Sequence, residues 1–275
     1  MEPKVLINIP VCFQDKYLKE IQDGLDTWVP LIKYPVIYSV SNPSIDSEYI
    51  LVGNQLHCKC SDELNLNFSL KRFYFIKWAF ETQEFDYLYI VGSDTFVHPY
   101  RFRHLIKDYF TNYPDVDYIG EVYPRDGSTL DFTVNTHHYI EDWRIFSPGY
   151  NWKNTLLPPS ILNSEYFPFA VGGSGYILSK KAVEILVKNF EFLIEYSKSL
   201  SPHDWADDWA LSQVLRLKGD IKLHHDSRFC NFTSSSWDSW RVPPEVPIFI
   251  EDSDFVVVQH NRSLEFKSIM EKLNL

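Results

Sequence analysis

The chain has 275 residues, 45% of them hydrophobic and 23% charged, enough to bury a sizeable core and too apolar for disorder or low complexity to dominate. Its 26 Lys and Arg against 37 Asp and Glu leave a net charge of −11 with no local basic patch, which argues against nucleic acid and anionic lipid as partners. No apolar run reaches 18 residues and a strand begins directly behind Met1, so neither a transmembrane segment, a signal peptide nor an anchor is expected.

Cys12, Cys58, Cys60 and Cys230 lack zinc-ligand spacing, and reduced thiols in a cytosolic protein are the expected state. Sequons at Asn67, Asn231 and Asn261 point the other way. A Golgi or endoplasmic-reticulum lumenal address is expected only if this is part of a longer chain.

In chain order, Lys4 to Val11 is a continuous apolar strand, and Tyr17, Leu18, Ile21, Leu25 and Trp28 recur at helical spacing. Strands at Val36 to Val40 and near Tyr49 to Val52 follow. Leu66 to Phe85 is the longest helical candidate. Its stripe of Leu70, Phe73, Tyr74 and Trp78 faces the core, with Lys71, Arg72, Lys77, Glu81 and Glu84 expected in solvent.

Tyr87 to Val91 is a short buried strand whose carboxyl end carries Ser93 and Asp94. Ligands of open α/β sheets bind at such strand ends, and a carboxylate there suits a hard cation holding phosphates. An ordinary Asp-containing turn is the plain alternative. A helix from about Tyr100 to Phe110 and a strand at Tyr118 to Val122 complete an alternation that predicts an α/β sheet covered on both faces.

Between Tyr123 and Phe167 the pattern dissolves into Pro, Gly, Asn and aromatic residues, including Trp143 and Trp152. So long a structureless stretch is either a functional insertion or surface decoration. Order resumes at Phe169 to Ser179, where Gly172, Gly173 and Gly175 around Ser174 allow close backbone approach. Lys180 to Phe192 reads as one amphipathic helix.

The next helix opens at Ser201 and Pro202 and closes at Lys218 and Gly219, with Leu211, Val214 and Leu215 on its core face. Asp208 precedes Leu211 by three residues and Leu215 by seven, which carries the buried face into the first turn beside Asp207. Burial would raise the Asp208 carboxyl pKa and the helix dipole would lower it, and acids there also serve merely to complement the dipole. A strand over Asp254 to Gln259 ends in His260, before a closing helix from Ser263 to Leu273.

Four segments in this order resemble the Fringe-like and core-1 β1,3-galactosyltransferase family of inverting glycosyltransferases. YLYIVGSDTFV looks like its strand with an acidic triplet, FAVGGSGYILSKKAV like its Gly-Gly-Ala-Gly-Tyr segment, DDWALSQVL like its Glu-Asp motif, and FVVVQHN like its late Phe-His turn. By element order the similarity spans about residues 4 to 275, read as a single glycosyltransferase-A domain of residues 1–275 with a loop insertion at about 123–167.

The resemblance implies a Rossmann-like, mostly parallel sheet flanked by helices, binding a UDP-sugar donor with Mn²⁺ or Mg²⁺. On the matching positions Asp94 and His260 would bind metal and Asp208 would be the catalytic base, while Ser93, Gly172, Gly173, Ser174 and Gly175 would line the donor. Asp207, Trp205, Trp143 and Trp152 are candidates for the acceptor side. The first two acids of the triplet are here Gly92 and Ser93, a departure that bears on metal use. The implied activity is transfer of a sugar from a UDP-sugar to a hydroxyl of a glycan or glycoprotein, with β1,3 linkage and inversion. A catalytically inactive nucleotide-sugar-binding protein on the same fold and a metal-dependent phosphohydrolase using Asp94, Asp207 and Asp208 are the competing readings.

Overall fold

The computed structural model describes residues 2–62, 66–123, 130–131, 165–166, 169–170, 172–200, 206–221, 223–226, 228–231, 255–259, 266–273 and 275. The chain opens with β1 (Val5–Pro10), α1 (Asp15–Leu25) and β2 (Val36–Ser41), followed by a hairpin of β3 (Tyr49–Val52) and β4 (Gln55–Cys58). Next come α2 (Leu66–Thr82), β5 (Tyr87–Ile90), β6 (Thr95–Val97), α3 (Pro99–Asn112), β7 (Tyr118–Gly120) and β8 (Val122–Tyr123). Short strands β9 (Leu130–Asp131), β10 (Glu165–Tyr166) and β11 (Phe169–Ala170) precede β12 (Tyr176–Ser179). The remainder is α4 (Lys180–Lys188), α5 (Phe190–Leu200), α6 (Ala206–Gly219), β13 (Leu223–His225), β14 (Phe229–Asn231), β15 (Val257–Gln259) and α7 (Phe266–Lys272).

An eight-stranded sheet runs in the order β13-β7-β12-β5-β1-β2-β4-β3. It is mixed: β1 pairs in parallel with β2 and β5, as do β2 with β4 and β7 with β13, whereas β12 is antiparallel to both of its neighbours. Alternation along each strand divides the core between two faces. Leu6, Leu88, Ile90, Tyr118, Tyr176 and Leu178 face α2, α4, α5 and α6. Val5, Ile7, Tyr87, Tyr89, Ile119 and Ile177 face α3 and α7. Helices on both faces are what the alternating sequence pattern implies.

Outside this sheet, β6 pairs antiparallel with β15, and β15 pairs in parallel with β14. β8 and β11 are antiparallel neighbours, so the chain leaves and rejoins the fold at one place around the expected insertion at about 123–167. Most of that insertion, with Trp143 and Trp152, lies outside the described residues.

Two sequence expectations change. Lys71 and Arg72 are not solvated but buried, at 0% and 4% exposure. Their helix α2 packs on β1, β2 and β4 on one side and on α4, α5 and α6 on the other. The expected Lys180 to Phe192 helix is two helices. The Asn189 side chain donates to the Ile185 carbonyl at 2.8 Å and its backbone leaves helical values (φ −115°, ψ 28°), so the chain turns before Phe190. Strands β13 and β14 have no clear alternation to reveal them, and β4, which does alternate with Leu56 and Cys58 buried, is only four residues long. Among the described residues no helix is long and apolar enough to cross a membrane.

Candidate active site

The turn after β5 is built around a glycine. A Cβ at Gly92 would meet the Asp94 Oδ1 at 2.7 Å and the Gly173 carbonyl at 3.3 Å, so the Asp94 carboxylate lies back over position 92. Thr95 donates its hydroxyl to the Gly173 carbonyl at 2.7 Å, tying the turn to the glycine-rich segment. Ser93 donates to Glu20 of α1 at 2.8 Å, a partner the sequence did not suggest. On the other flank Gln259 of β15 is in register with Thr95. His260, the next residue, lies outside the described residues.

The glycine-rich segment reaches the acids of α6 one residue earlier. The Gly172 amide donates to Asp208 Oδ2 at 2.6 Å, and a Cβ at 172 would overlap the Asp208 carboxyl. Glycine at this position is therefore what lets the carboxyl sit on the main chain. Gly175 adopts φ +83°, and a Cβ there would meet the Ile90 carbonyl at 2.6 Å. Tyr89 donates its phenol to the Ser174 carbonyl at 3.0 Å, which seats the segment on the end of β5.

Asp207 and Asp208, each 2% exposed, open α6. Arg72 is wedged against both: its Nη1 is ion-paired with Asp207 and donates to Asp208 Oδ1 at 3.1 Å, while Nη2 donates to the Gly172 carbonyl at 3.4 Å. Burial pushes the Asp208 carboxyl pKa well above the ordinary range, and neighbouring Asp207 adds to the rise. Arg72 and the Gly172 amide act against it. For Arg72, burial works against its charge, but the facing Asp207 and Asp208 outweigh it and hold the guanidinium above its usual pKa. Tyr118 of β7 and Tyr176 of β12, packed edge to face with ring centroids 5.9 Å apart, close this pocket. Burial drives both phenols far above their ordinary pKa.

The fold thus brings Asp94, Thr95, Gly172, Gly173, Ser174, Asp207 and Asp208 into one connected region from three remote stretches of chain. Arg72 is the member that sequence reasoning missed. Its signal was present in Phe73, Tyr74, Phe75, Ile76, Trp78, Ala79 and Phe80, which spread around α2 well beyond one stripe, and a helix apolar on most sides is an interior helix. Trp205, Trp143 and Trp152 lie outside the described residues. Trp209 is buried, packing against Phe169 with centroids 5.5 Å apart. Chemically, two carboxylates share one guanidinium in a dry pocket, and Asp208 retains an affinity for a proton that an exposed aspartate lacks.

No curated protein matches the chain. Among solved structures, the crystal structure of a glycosyltransferase involved in the glycosylation of the major capsid of PBCV-1 is similar, at 10% identity and a TM-score of 0.46, covering 99% of this chain and 100% of that one. The family model described as Galactosyltransferase matches residues 54–227, more than half of the 275 residues, and the chain belongs to that family.

Proposed function

We propose that this glycosyltransferase-family chain moves a sugar from a UDP-sugar donor to a hydroxyl of a glycan or glycoprotein, with inversion at the anomeric carbon and a β1,3 linkage. The observation that carries the reading is the convergence of Asp208, the Gly172–Gly173 main chain and the Asp94–Thr95 turn. These are the elements that the family resemblance assigns to base, donor contact and phosphate end.

Transfer requires a proton to leave the acceptor hydroxyl while negative charge grows on the departing diphosphate. Asp208 is placed to take that proton, because burial has made it a stronger base than an exposed aspartate. The Gly172 amide and Arg72 hold its two oxygens, and each oxygen keeps a further lone pair for the incoming proton. Attack from the side opposite the diphosphate would invert the anomeric centre. Ser93 and the segment from Gly172 to Gly175 would stand along the donor, with Asp207, Trp205, Trp143 and Trp152 toward the acceptor.

A Mn²⁺ or Mg²⁺ ion, if used, would be held by Asp94 and His260 and would neutralise the diphosphate. Among the described residues no three His, Cys, Asp or Glu side chains form a set that could hold a metal. Gly92 has no side chain, and the Ser93 hydroxyl is turned to Glu20. Asp94 and His260 alone do not complete a shell, which leaves the remaining positions to the diphosphate oxygens.

The test is UDP release from a panel of UDP-sugars by the native chain and by Asp208→Asn, each with Mn²⁺ and with a chelator. Donor-dependent release by the native chain and its loss in the variant support the transferase. Saturable donor binding without release under every condition would support a nucleotide-sugar-binding protein instead, a reading that the near-complete burial of Asp208 favours.

A further inference from the structure

We infer that Arg72 is a positioning residue for this transfer: by ion-pairing Asp207 while fixing one oxygen of Asp208, it makes Asp208 the single carboxylate of the pair that exchanges a proton with the acceptor. The inference rests on the transferase reading above and concerns a residue outside the four motifs of the resemblance.

The geometry distinguishes the two acids. Asp207 Oδ2 makes the closer contact with the Arg72 Nη1. Asp208 takes the longer contact, 3.1 Å, on Oδ1 and the Gly172 amide on Oδ2. The same guanidinium reaches the Gly172 carbonyl at 3.4 Å, so a single planar group sets the acid pair and the glycine main chain relative to each other. A lysine ammonium is a point charge and lacks that fork. Facing Asp208 from the packed elements are Arg72 on α2, Asp207 on its own helix, Tyr118 on β7 and Tyr176 on β12. Both tyrosines are buried phenols whose pKa values are raised far above neutrality, which among the described residues leaves Arg72 and Asp207 as the charged neighbours of Asp208. A guanidinium between two carboxylates gives the cluster a net charge of one negative unit, and Arg72 determines which acid carries it.

The experiment compares the native full-length chain with Arg72→Lys, Asp207→Asn, the double variant Arg72→Gln/Asp207→Asn, and Asp208→Asn. The double variant keeps the net charge of the cluster and so remains informative where a single substitution fails to fold. Two readouts are taken from about pH 4 to 9: UDP release, split into kcat and donor KM, and carboxyl-carbon NMR of aspartate-labelled chain, with the Asp208 signal identified by its loss in Asp208→Asn.

In Asp207→Asn the Asp208 midpoint and the acid limb of kcat should both move to lower pH by about 1 unit, the smaller end of what a neighbouring charge imposes. Arg72→Lys should leave the limb in place and lower kcat by about 10²-fold, the cost of a misplaced group, with donor KM little changed. The double variant should regain the native midpoint while kcat stays low. A native midpoint in Asp207→Asn, or native kcat in Arg72→Lys or in the double variant, would show that Arg72 only props up the fold. Full turnover in Asp208→Asn would overturn Asp208 as the base, and no UDP release by the native chain would overturn the transferase reading; in either case the NMR midpoints would still decide whether Arg72 divides the two acids.

Discussion

Lys71 and Arg72 are consecutive on α2, both withdrawn from solvent, and they face opposite problems. Among the described residues Lys71 meets one carboxylate: its ammonium donates to Asp62 Oδ1 at 2.8 Å and also to the Val11 carbonyl. Asp62 is further satisfied by the Ser41 hydroxyl at 3.1 Å and the Phe13 amide at 2.5 Å. Burial acts to raise the Asp62 pKa, but the Lys71 and Phe13 bonds outweigh it and hold the carboxyl below its ordinary value. Arg72 meets two carboxylates, and the second of them, Asp208, is held above its ordinary value. One cation per acid makes a closed joint that fastens the end of β1 to the chain after β4. One cation for two acids leaves a proton acceptor. Proximity in sequence and equal burial are therefore poor guides to role, and the charge count around each cation is the better one.

The most direct way to break the contrast is Asp208→Asn, which reduces the Arg72 site to the same one-to-one pairing as Lys71. Donor turnover should fall by ~10²- to 10⁴-fold, the usual worth of a general base, while circular dichroism shows an intact fold. Gly172→Ala acts on the same carboxyl by volume. The added methyl needs the space of the Asp208 carboxyl, so Asp208 must leave the amide or the segment must shift, at about 1–3 kcal/mol for an overpacked interior. A lower melting temperature together with reduced turnover is the expected result. Normal turnover in Gly172→Ala would mean that the Gly172–Asp208 bond is not needed for the reaction.

Much of this architecture was legible in the sequence because it is written in local period. Leu6 and Ile7 fall on opposite faces by strand alternation, and Leu211, Val214 and Leu215 mark the inner side of α6 by helical spacing. Asp208 could be placed on that inner side by counting back three and seven residues. Arg72 could not be placed by charge alone, because a cation on a helix is ordinarily solvated and only the apolar ring around α2 argues otherwise. Glu20 was equally hidden: its contact with Ser93 links residues 73 positions apart, and no period encodes such a contact. Short strands such as β13, Leu223–His225, carry exposed histidines in place of an apolar alternation, so their pairing with β7 is decided by the sheet.

Lys71→Met sharpens the contrast from the other side. It removes the cation from the closed joint, so the Val11 carbonyl loses that donor and Asp62 Oδ1 is left with the Ser41 hydroxyl, a loss of about 1–3 kcal/mol. The melting temperature should drop. The acid limb of donor turnover should stay where it is in the native chain, because Asp62 is not a partner of Asp208. A shifted limb in Lys71→Met would show that the two cations act on one electrostatic site after all.

The smallest effect is a dependence of stability on pH, and its sign separates the two sites. The folded pKa of Asp208 lies above its unfolded value, near 3.9, so the folded state holds a proton that the unfolded chain releases. That contribution is fully present below about pH 4 and is lost as pH rises through the folded pKa. Asp208→Asn removes the loss, so the variant should melt higher than the native chain at neutral pH, with the gap closing toward about pH 4. Asp62 runs the other way: its folded pKa is depressed, and its contribution is present above its unfolded value and lost as pH falls through the folded one. Asp62→Asn should therefore melt lower than native at neutral pH, and that gap should also close in acid. Paired melting curves from about pH 3 to 8 decide the matter. An Asp208→Asn chain that melts below native at neutral pH would mean that Arg72 compensates both acids in full, leaving no surplus charge to serve as a base.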